Sequence, residues 1–274
     1  MDLLKDIEKR LREDADYSAL SPEAQLAMLK SRAKHIVGEE RLLETLVICA
    51  QEKRPMRVKY GIDATGQSIH LGHAVPLFVL RRLQQMGHHV VLIIGDFTAQ
   101  VGDPSGRVST RPMLTPEEIK ANANRYAEQA GRIIDIDKTE VVFNSSWLST
   151  YSLAQFFSVL SGLTVSSAMQ REDFRKRESI TRAELLYSTL MGIDSFMLKT
   201  ELELGGDDQL LNFYDAVRIM ENGGLRPESA VTTDILLGTS GDGQKMSKSL
   251  GNFILVSDAP HEMFGKIMSI ADDQ

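Results

Sequence analysis

Two histidines three residues apart, His70 and His73, lie where a predicted strand gives way to a predicted helix. The first turn of a helix has unpaired N–H groups and the positive end of the helix dipole, which together attract phosphate. Gly72 has no side chain, so a nucleotide can lie against the backbone there, and imidazoles can donate to phosphate or ribose oxygens. The pattern indicates a nucleotide site. A polar helix cap is an alternative, and a metal site is a weaker one because no third ligand is evident nearby.

A cationic loop at residues 245–249, with the sequence KMSKS, is the second candidate site. It places Lys245 and Lys248 three residues apart, adds two hydroxyl groups, and is followed by Gly251. Such a loop suits stabilisation of a pentavalent phosphate and of a pyrophosphate leaving group. The alternative is an ordinary solvated surface loop.

The elements around the histidines form a predicted βαβ unit. Residues 57–62 are a short β-type run, apolar residues recur at helical spacing from Leu71 to Leu83, and residues 89–95 are an apolar strand bounded by glycines. Strand, helix and strand within about 40 residues imply parallel strands with helices on both faces of the sheet. The predicted fold class is therefore α/β.

The rest of the chain is predicted from the same periodicities. A helical N-terminal arm covers 1–54 and the main domain covers 55–274. The further predicted elements are helices at 22–34, 39–51, 116–134 and across most of 152–200, and strands at 140–143 and 232–237.

Composition narrows the class of protein. Of 274 residues, 31 are Lys or Arg and 38 are Asp or Glu, a net charge of −7, so any contact with nucleic acid must use a local basic patch. Residues 171–182, with five cations and three acids, are the best candidate patch or else a solvated helix face with internal ion pairs.

Cys49, the single cysteine, excludes an intramolecular disulfide and cysteine zinc sites and favours a reducing compartment. No apolar run reaches the length of a membrane span, and the acidic start is unlike a signal peptide.

HxGH followed by KMSKS is the paired signature of class I aminoacyl-tRNA synthetases, which this sequence resembles. Further ordered stretches resemble bacterial tyrosyl-tRNA synthetases: YGID at 60–63, GDPSGR at 102–107, GGDDQ at 205–209 and MFGKIMSI at 263–270. The resemblance begins at about residue 22 and continues to the C-terminus. It implies a Rossmann-type parallel sheet and a helical connecting insertion at about 120–185 that also supplies a homodimer interface.

The reaction that the resemblance implies is ATP-dependent activation of an amino acid, with L-tyrosine favoured, and transfer to tRNA(Tyr) in the cytoplasm, with Mg²⁺ accompanying ATP. No metal site of the protein's own is implied. The implied catalytic residues are Thr65, His70, His73, Lys245 and Lys248. The implied ATP-binding residues are Gly61, Asp63, Gly72, Arg107, Arg111, Gly206, Asp208 and Ser247. The implied amino-acid-binding residues are Lys59, Asp103, Tyr187, Met191, Asp194 and Gln209.

Particular contacts follow from the same resemblance. Asp194 would accept a hydrogen bond from the phenol hydroxyl of tyrosine, and Tyr187 and Asp103 would contact its α-ammonium group. Asp208 would accept from the ribose hydroxyls. From the residues alone, Tyr187 also fits a core position, Asp103 before Pro104 also fits a turn, and Asp194 in an apolar helix needs a partner if it is buried.

Several positions depart from the tyrosine-enzyme pattern: Met191 replaces a glutamine, Lys59 a tyrosine, Ser188 a proline, Asp207 a threonine or serine, and Glu201 an aspartate. Methionine cannot hydrogen-bond usefully to the substrate ammonium, and one such bond is worth about 1.5–3 kcal/mol. It also makes a pocket more apolar and more adaptable. Tyrosine stays favoured because Tyr187 and Asp194 are present, and another amino acid, such as a modified tyrosine, is the alternative.

Tyrosyl-tRNA synthetases continue beyond the 263–270 stretch into a helical domain and an RNA-binding domain. A C-terminal anticodon-binding domain is therefore expected to be absent here, which would weaken tRNA binding and leave a catalytic fragment or a short paralogue with a non-tRNA acceptor. A non-catalytic module that binds RNA or protein is another hypothesis, and the intact HxGH and KMSKS motifs argue against it. A small-molecule nucleotidyltransferase, which shares the HxGH motif, is a third, and the 205–209 stretch with Tyr187 and Asp194 argues against it. The residues that would form either a dimer patch or ordinary core are Trp147, Tyr151, Phe156, Phe157 and Leu160.

Overall fold

The computed structural model describes residues 15–65, 68–104, 115–170, 172–175 and 178–270. Within these ranges six strands form one sheet, in the spatial order β1-β6-β5-β2-β3-β4. The strands are β1 (His35–Val37), β2 (Arg57–Asp63), β3 (His89–Gly95), β4 (Thr139–Phe143), β5 (Leu202–Gly206) and β6 (Ser229–Thr233). The helices are α1 (Pro22–Lys30), α2 (Glu39–Glu52), α3 (Leu71–Gln85), α4 (Pro116–Ala130), α5 (Ser145–Leu148), α6 (Leu153–Leu160), α7 (Val165–Ala168), α8 (Glu172–Arg175), α9 (Arg182–Leu185), α10 (Tyr187–Leu198), α11 (Leu210–Asn222) and α12 (Pro260–Met268).

The sheet is parallel except at one edge. β2 pairs in parallel with both β3 and β5, β3 with β4, and β5 with β6, whereas β1 runs antiparallel to β6. The chain leaves β2 toward β3 and β4 on one side and later returns to its other side with β5. The boundary between β2 and β5 is therefore a topological switch point, where α/β sheets bind ligands beyond the carboxyl ends of their strands.

The predicted βαβ unit is confirmed as β2, α3 and β3. Its strands match register from Arg57 with His89 to Asp63 with Gly95, and the five central residues of β3 are fully buried, as its apolar sequence predicts. Helix α4 begins where Thr115 accepts a hydrogen bond from the backbone N–H of Glu118. The α/β fold class is confirmed, with helices packed on the sheet.

Three strands differ from the sequence-based prediction. β1 lies in the arm that was predicted to be helical, where its backbone pairs with the edge strand β6. The strand predicted at 232–237 is found at Ser229–Thr233, and the next residues leave the sheet with Ile235 40% exposed. β5 was not predicted, because the charged Glu203 interrupts its short apolar run. The predicted helical insertion at 120–185 also contains β4, which belongs to the sheet.

Two apolar cores hold these elements. The larger one packs α1 to α4 against β2, β3, β5 and β6. The smaller one has Leu148, Leu190 and Ile193 at its centre, with Trp147, Tyr151 and Phe156 packed on them. These three aromatic residues are thus core, while Phe157 is 65% exposed and Leu160 is half-buried.

Some predicted features lie outside the described residues. These are Arg107 and Arg111, the first 14 residues of the arm, and Arg171, Lys176 and Arg177 of the basic stretch. In the described part of the chain, no helix combines the length and the apolar character that crossing a membrane requires.

Candidate active site

A cavity of about 600 Å³ opens beyond the carboxyl ends of β2, β3 and β5, at the switch point of the sheet. Every predicted site residue in the described part of the chain lines this cavity. The cavity therefore joins the HxGH residues, the KMSKS loop and the predicted amino-acid pocket, which are far apart in sequence. Tyr126 of α4 lines one side of it, and residues of α10 line another.

The two histidines form the first turn of α3. Nδ1 of His70 accepts from the backbone N–H of Gly72 at 3.1 Å, and Nδ1 of His73 accepts from the N–H of His70 at 3.4 Å. Burial, together with Lys248 and Lys245, lowers the pKa of His70 to about 4. Burial, His70 and the same two lysines lower the pKa of His73 well below its ordinary value. Both rings are therefore neutral near pH 7, and each Nε2 carries the remaining N–H donor. A side chain at Gly72 would approach the His70 ring to 2.9 Å, so the glycine keeps this turn open.

Both lysines of the KMSKS loop are docked in the cavity. Nζ of Lys245 lies 3.0 Å from Oδ2 of Asp208. Nζ of Lys248 donates to the carbonyl of Ser68 at 2.8 Å and to the hydroxyl of Tyr126 at 3.1 Å. The loop itself is held where Asn252 accepts from the N–H of Ser247 at 2.8 Å. This arrangement places two cations beside the first turn of α3, as the phosphate-binding prediction requires.

An acidic group lies across the cavity from the lysines. The hydroxyl of Tyr187 donates to Oδ2 of Asp63 at 3.0 Å, and Nε2 of Gln209 donates to Oδ2 of Asp103 at 2.8 Å. The backbone N–H of Asp103 also donates to Asp63, at 3.2 Å. Burial and the neighbouring carboxylate of Asp63 raise the pKa of Tyr187 well above its ordinary value, so it remains a hydroxyl donor. Two carboxylates in one corner suit an ammonium group.

The floor of the pocket holds Asp194, which is 4% exposed. Nε1 of Trp147 donates to its Oδ1 at 2.7 Å, and Nδ2 of Asn144 donates to its Oδ2 at 3.1 Å. Burial raises the pKa of Asp194 to about 7, against the opposing effect of Lys59 and of these two donors. Sequence reasoning missed this role of Asn144 and Trp147. Their position within four residues of the end of β4 could have indicated this role, since the carboxyl ends of the strands in a parallel sheet face the ligand.

Lys59 lies at the pocket floor and is 0% exposed. Its Nζ is 2.7 Å from Oε1 of Glu203, 3.8 Å from Oε1 of Glu228 and 3.5 Å from the backbone carbonyl of Met191. Burial alone would lower the pKa of Lys59, but the carboxylates of Glu203, Glu228 and Asp194 raise it above its ordinary value. Its charge is therefore matched from within the protein.

The other residues that depart from the family pattern also have hydrogen-bond or ion-pair partners within the protein. Oδ1 of Asp207 lies 2.6 Å from Nδ1 of His35 and accepts from the hydroxyl of Thr232 at 2.8 Å. Glu201 pairs with Arg54 through both carboxylate oxygens. The hydroxyl of Ser188 donates to Asp215 at 2.6 Å. Asp207 is thus an edge contact of the sheet, and Asp208 is the acid that meets Lys245.

The raised pKa of Asp194 gives a pH-dependent contribution to stability. The folded value of about 7 lies above the ordinary value of 3.8, so the contribution is complete below pH 3.8 and is lost as pH rises through 7. Between these values the unfolding free energy of the wild type should fall relative to Asp194→Asn, by at most about 1.4 kcal/mol per pH unit. Urea unfolding of both proteins from pH 4 to pH 8 checks this, and parallel curves would contradict it.

The comparisons agree with this geometry. Residues 51–274, more than half of the chain, match the family described as tRNA synthetases class I (W and Y). The tyrosine--tRNA ligase of Haemophilus ducreyi is 45% identical over 259 residues, which are 93% of this chain and 64% of that protein. The ligase of the same name from Carboxydothermus hydrogenoformans is 46% identical over 252 residues, 90% of this chain and 61% of that protein. The chain therefore spans less than two thirds of the length of these relatives.

A solved structure extends the likeness to the fold. The tyrosyl-tRNA synthetase of Archaeoglobus fulgidus, complexed with L-tyrosine, matches with a TM-score of 0.75 and 25% identity, over 91% of this chain and 75% of that one. This confirms the Rossmann-type fold that the motifs imply. From the family match, the relatives and the fold together, we conclude that the chain belongs to the class I tRNA synthetases (W and Y).

Proposed function

We propose that this chain activates an amino acid with ATP, forming an aminoacyl-adenylate and pyrophosphate, and that L-tyrosine is the preferred amino acid. The observation that carries the proposal is the composition of the cavity. Neutral histidines and two lysines lie on one side of it, and two carboxylates with a buried acid at the floor lie on the other. The first set fits the phosphates of ATP and the second fits an amino acid with a hydroxyl at the end of its side chain.

In the proposed reaction the substrate carboxylate attacks the α-phosphorus of ATP. A new oxygen–phosphorus bond forms as the bond to the pyrophosphate oxygen breaks, and the leaving pyrophosphate takes the negative charge. Lys245 and Lys248 would stabilise that charge, and the N–H donors of His70 and His73 would bind the phosphate oxygens. Because the substrate supplies the nucleophile, the protein contributes position and charge rather than a covalent intermediate.

The residues around the lysines fit a nucleotide. A side chain at Gly206 would meet Oδ1 of Asp208 at 2.8 Å, and Gly61 has open space beside it, so both glycines leave room for a ligand. Asp208 would accept from ribose hydroxyls, and Thr65 and Ser247 line the same cavity. Magnesium bound to ATP would add positive charge at the phosphates. No cluster of three or more potential metal ligands occurs in the described part of the chain.

The opposite wall fits the amino acid. Asp63 and Asp103 would bind the α-ammonium group, with Tyr187 and Gln209 holding the two carboxylates in place. Asp194 would accept the phenol hydroxyl, since Trp147 and Asn144 already donate to it and leave acceptor capacity toward the cavity. The apolar side chain of Met191 also lines the cavity.

The test is ATP–pyrophosphate exchange with each of the twenty amino acids, without tRNA. We expect exchange with tyrosine, and much less with phenylalanine, because phenylalanine has no hydroxyl to donate to the buried Asp194 and so loses that hydrogen bond. Exchange with a different amino acid would contradict tyrosine specificity and identify a paralogue with an altered pocket. No exchange by a folded chain that binds ATP would contradict activation and favour a binding module.

For the second step we propose transfer of the aminoacyl group to tRNA(Tyr). Support comes from the names of the relatives, which are tyrosine--tRNA ligases, and from the exposed Arg175 and Arg182 of the basic stretch. Charging of tRNA by this chain, with and without an added C-terminal RNA-binding domain, tests the proposal. Adenylate formation without charging in both cases would favour a non-tRNA acceptor.

We also propose a homodimer. Exposed apolar side chains on α6 and α7 support it, with Leu153 75% exposed, Phe157 65% and Val165 70%. Large apolar side chains that are this exposed are typical of a protein interface when they form one patch. Sedimentation that finds only a 30.5 kDa species would contradict it.

Two other expectations stay predictions. One is the division of the chain into a helical arm at 1–54 and a main domain at 55–274, and the other is the cytoplasmic location, which the single cysteine favours.

A further inference from the structure

Helix α4 carries a buried polar stripe that faces the active site. Asn122, Tyr126 and Gln129 follow at spacings of four and three, which puts them on one face of the helix. They are 6%, 1% and 8% exposed. Buried polar groups cost free energy unless they are hydrogen-bonded, so the contacts of this stripe are informative.

The two ends of the stripe bind the backbone just after β2 and just before α3. Nδ2 of Asn122 donates to the carbonyl of Ala64 at 2.9 Å, and Oε1 of Gln129 accepts from the N–H of Ile69 at 2.7 Å. Ile69 directly precedes His70. The helix thereby fixes the position of the predicted phosphate-binding turn.

Tyr126, at the centre of the stripe, binds the KMSKS loop instead. Its hydroxyl accepts from Nζ of Lys248 at 3.1 Å, and its ring centroid lies 5.5 Å from the same nitrogen. The carbonyl of Ser68 accepts from Lys248 at 2.8 Å. One helix thus orders both the turn before the histidines and the lysine that would meet the same phosphates.

We infer that Tyr126 is a positioning residue, which holds the Lys248 ammonium next to the first turn of α3 before the nucleotide binds. A lysine side chain loses considerable rotamer entropy when it is fixed, and here that cost is met in the nucleotide-free protein. The phenol hydroxyl of Tyr126 and the carbonyl of Ser68 are neutral partners of Lys248, whereas Lys245 is paired with the carboxylate of Asp208. This role rests on the proposed function, because it matters only if Lys248 acts on ATP.

Tyr126→Phe tests the inference, since it removes the hydroxyl and keeps the ring. We expect the turnover rate in ATP–pyrophosphate exchange to fall roughly 3–10-fold, the effect of losing one hydrogen bond, with tyrosine affinity unchanged. In a Lys248→Ala background the same substitution should have no further effect. Tyr214→Phe is the matched control, because Tyr214 lies half-exposed on α11, outside the cavity. An equal loss of rate in both backgrounds would show a merely structural role and overturn the inference.

A second readout does not depend on activity. Acetylation of Lys248 in the nucleotide-free protein, followed by mass spectrometry, should be roughly 3–10-fold faster in Tyr126→Phe, with no change at Lys266, which pairs with Asp258. Unchanged acetylation of Lys248 would overturn the inference. If the wild type catalyses no exchange with any amino acid, the proposed function fails, while the acetylation rates still report whether Tyr126 holds Lys248.

Discussion

Replacing His70 with asparagine should lower the rate of adenylate formation by roughly 10²–10³-fold, the usual effect of removing one preorganised donor from a charged transition state. Asparagine is a preferred N-cap residue, so it can keep the acceptor that His70 offers to the N–H of Gly72. Helix α3 should therefore stay capped while the imidazole is lost. Single-turnover formation of the adenylate measures the rate, and equilibrium binding measures the affinity for tyrosine, which we expect to be unchanged.

The matched control is His261→Asn, because His261 is exposed at the start of α12 and outside the cavity. It should have the wild-type rate. A parallel loss of tyrosine affinity and thermal stability in His70→Asn would indicate a damaged fold. A wild-type rate in a folded His70→Asn protein would contradict the role of His70 in catalysis.

The site residues were predictable because each motif is local and has a chemical meaning of its own. The HxGH motif indicates the start of a helix, and α3 begins there with His70 as its N-cap. The KMSKS motif indicates a cationic loop, and both of its lysines line the cavity. The parallel order of β2, β3 and β5 then brings distant motifs to one edge of the sheet, and the predicted βαβ unit implies this for the ends of β2 and β3.

The partners of the buried acids were not predictable in the same way. Asn144 and Trp147 are about 50 residues from Asp194 in the chain, and no local pattern links a strand end to a helix interior. Trp147 could be read only as apolar surface or core. The hydroxyl of Tyr126 meets Lys248 across an even longer separation. Such contacts are tertiary, and a single sequence contains no periodicity that reports them.

Lys59 shows most clearly which contacts the sequence alone does not predict. Its place on β2 was predicted, and the resemblance gave it a substrate contact, but the strand beside β2 was missed. That strand, β5, puts Glu203 directly opposite Lys59 in the parallel register, and Glu228 follows just before β6. The negative charge of Glu203, which argues against a buried strand in the sequence, balances the positive charge of the buried Lys59.

Replacing Lys59 with methionine should therefore lower the unfolding free energy by about 3–5 kcal/mol, because it leaves two buried carboxyl groups without their cation. For a chain of this size the melting temperature should fall by roughly 6–20 °C. The loss should be smaller at pH 5 than at pH 8. Burial and Glu228 already hold the pKa of Glu203 well above its ordinary value, and without Lys59 it rises further, so stability is lost as pH increases through it. Urea unfolding at both pH values measures this.

Two further variants separate this charge effect from simple loss of packing. Lys30→Met breaks an exposed ion pair with Glu39 and should cost at most about 1 kcal/mol. The triple variant Lys59→Met, Glu203→Met, Glu228→Gln removes the buried charges together, and the amide introduced at position 228 can still accept from Thr200, as the Glu228 carboxylate does. It should regain most of the lost stability, since a buried ion cluster is often replaceable by apolar side chains when every member is changed. A triple variant as unstable as Lys59→Met, or a single variant with wild-type stability, would contradict the view that the three residues form one balanced group beneath the amino-acid pocket.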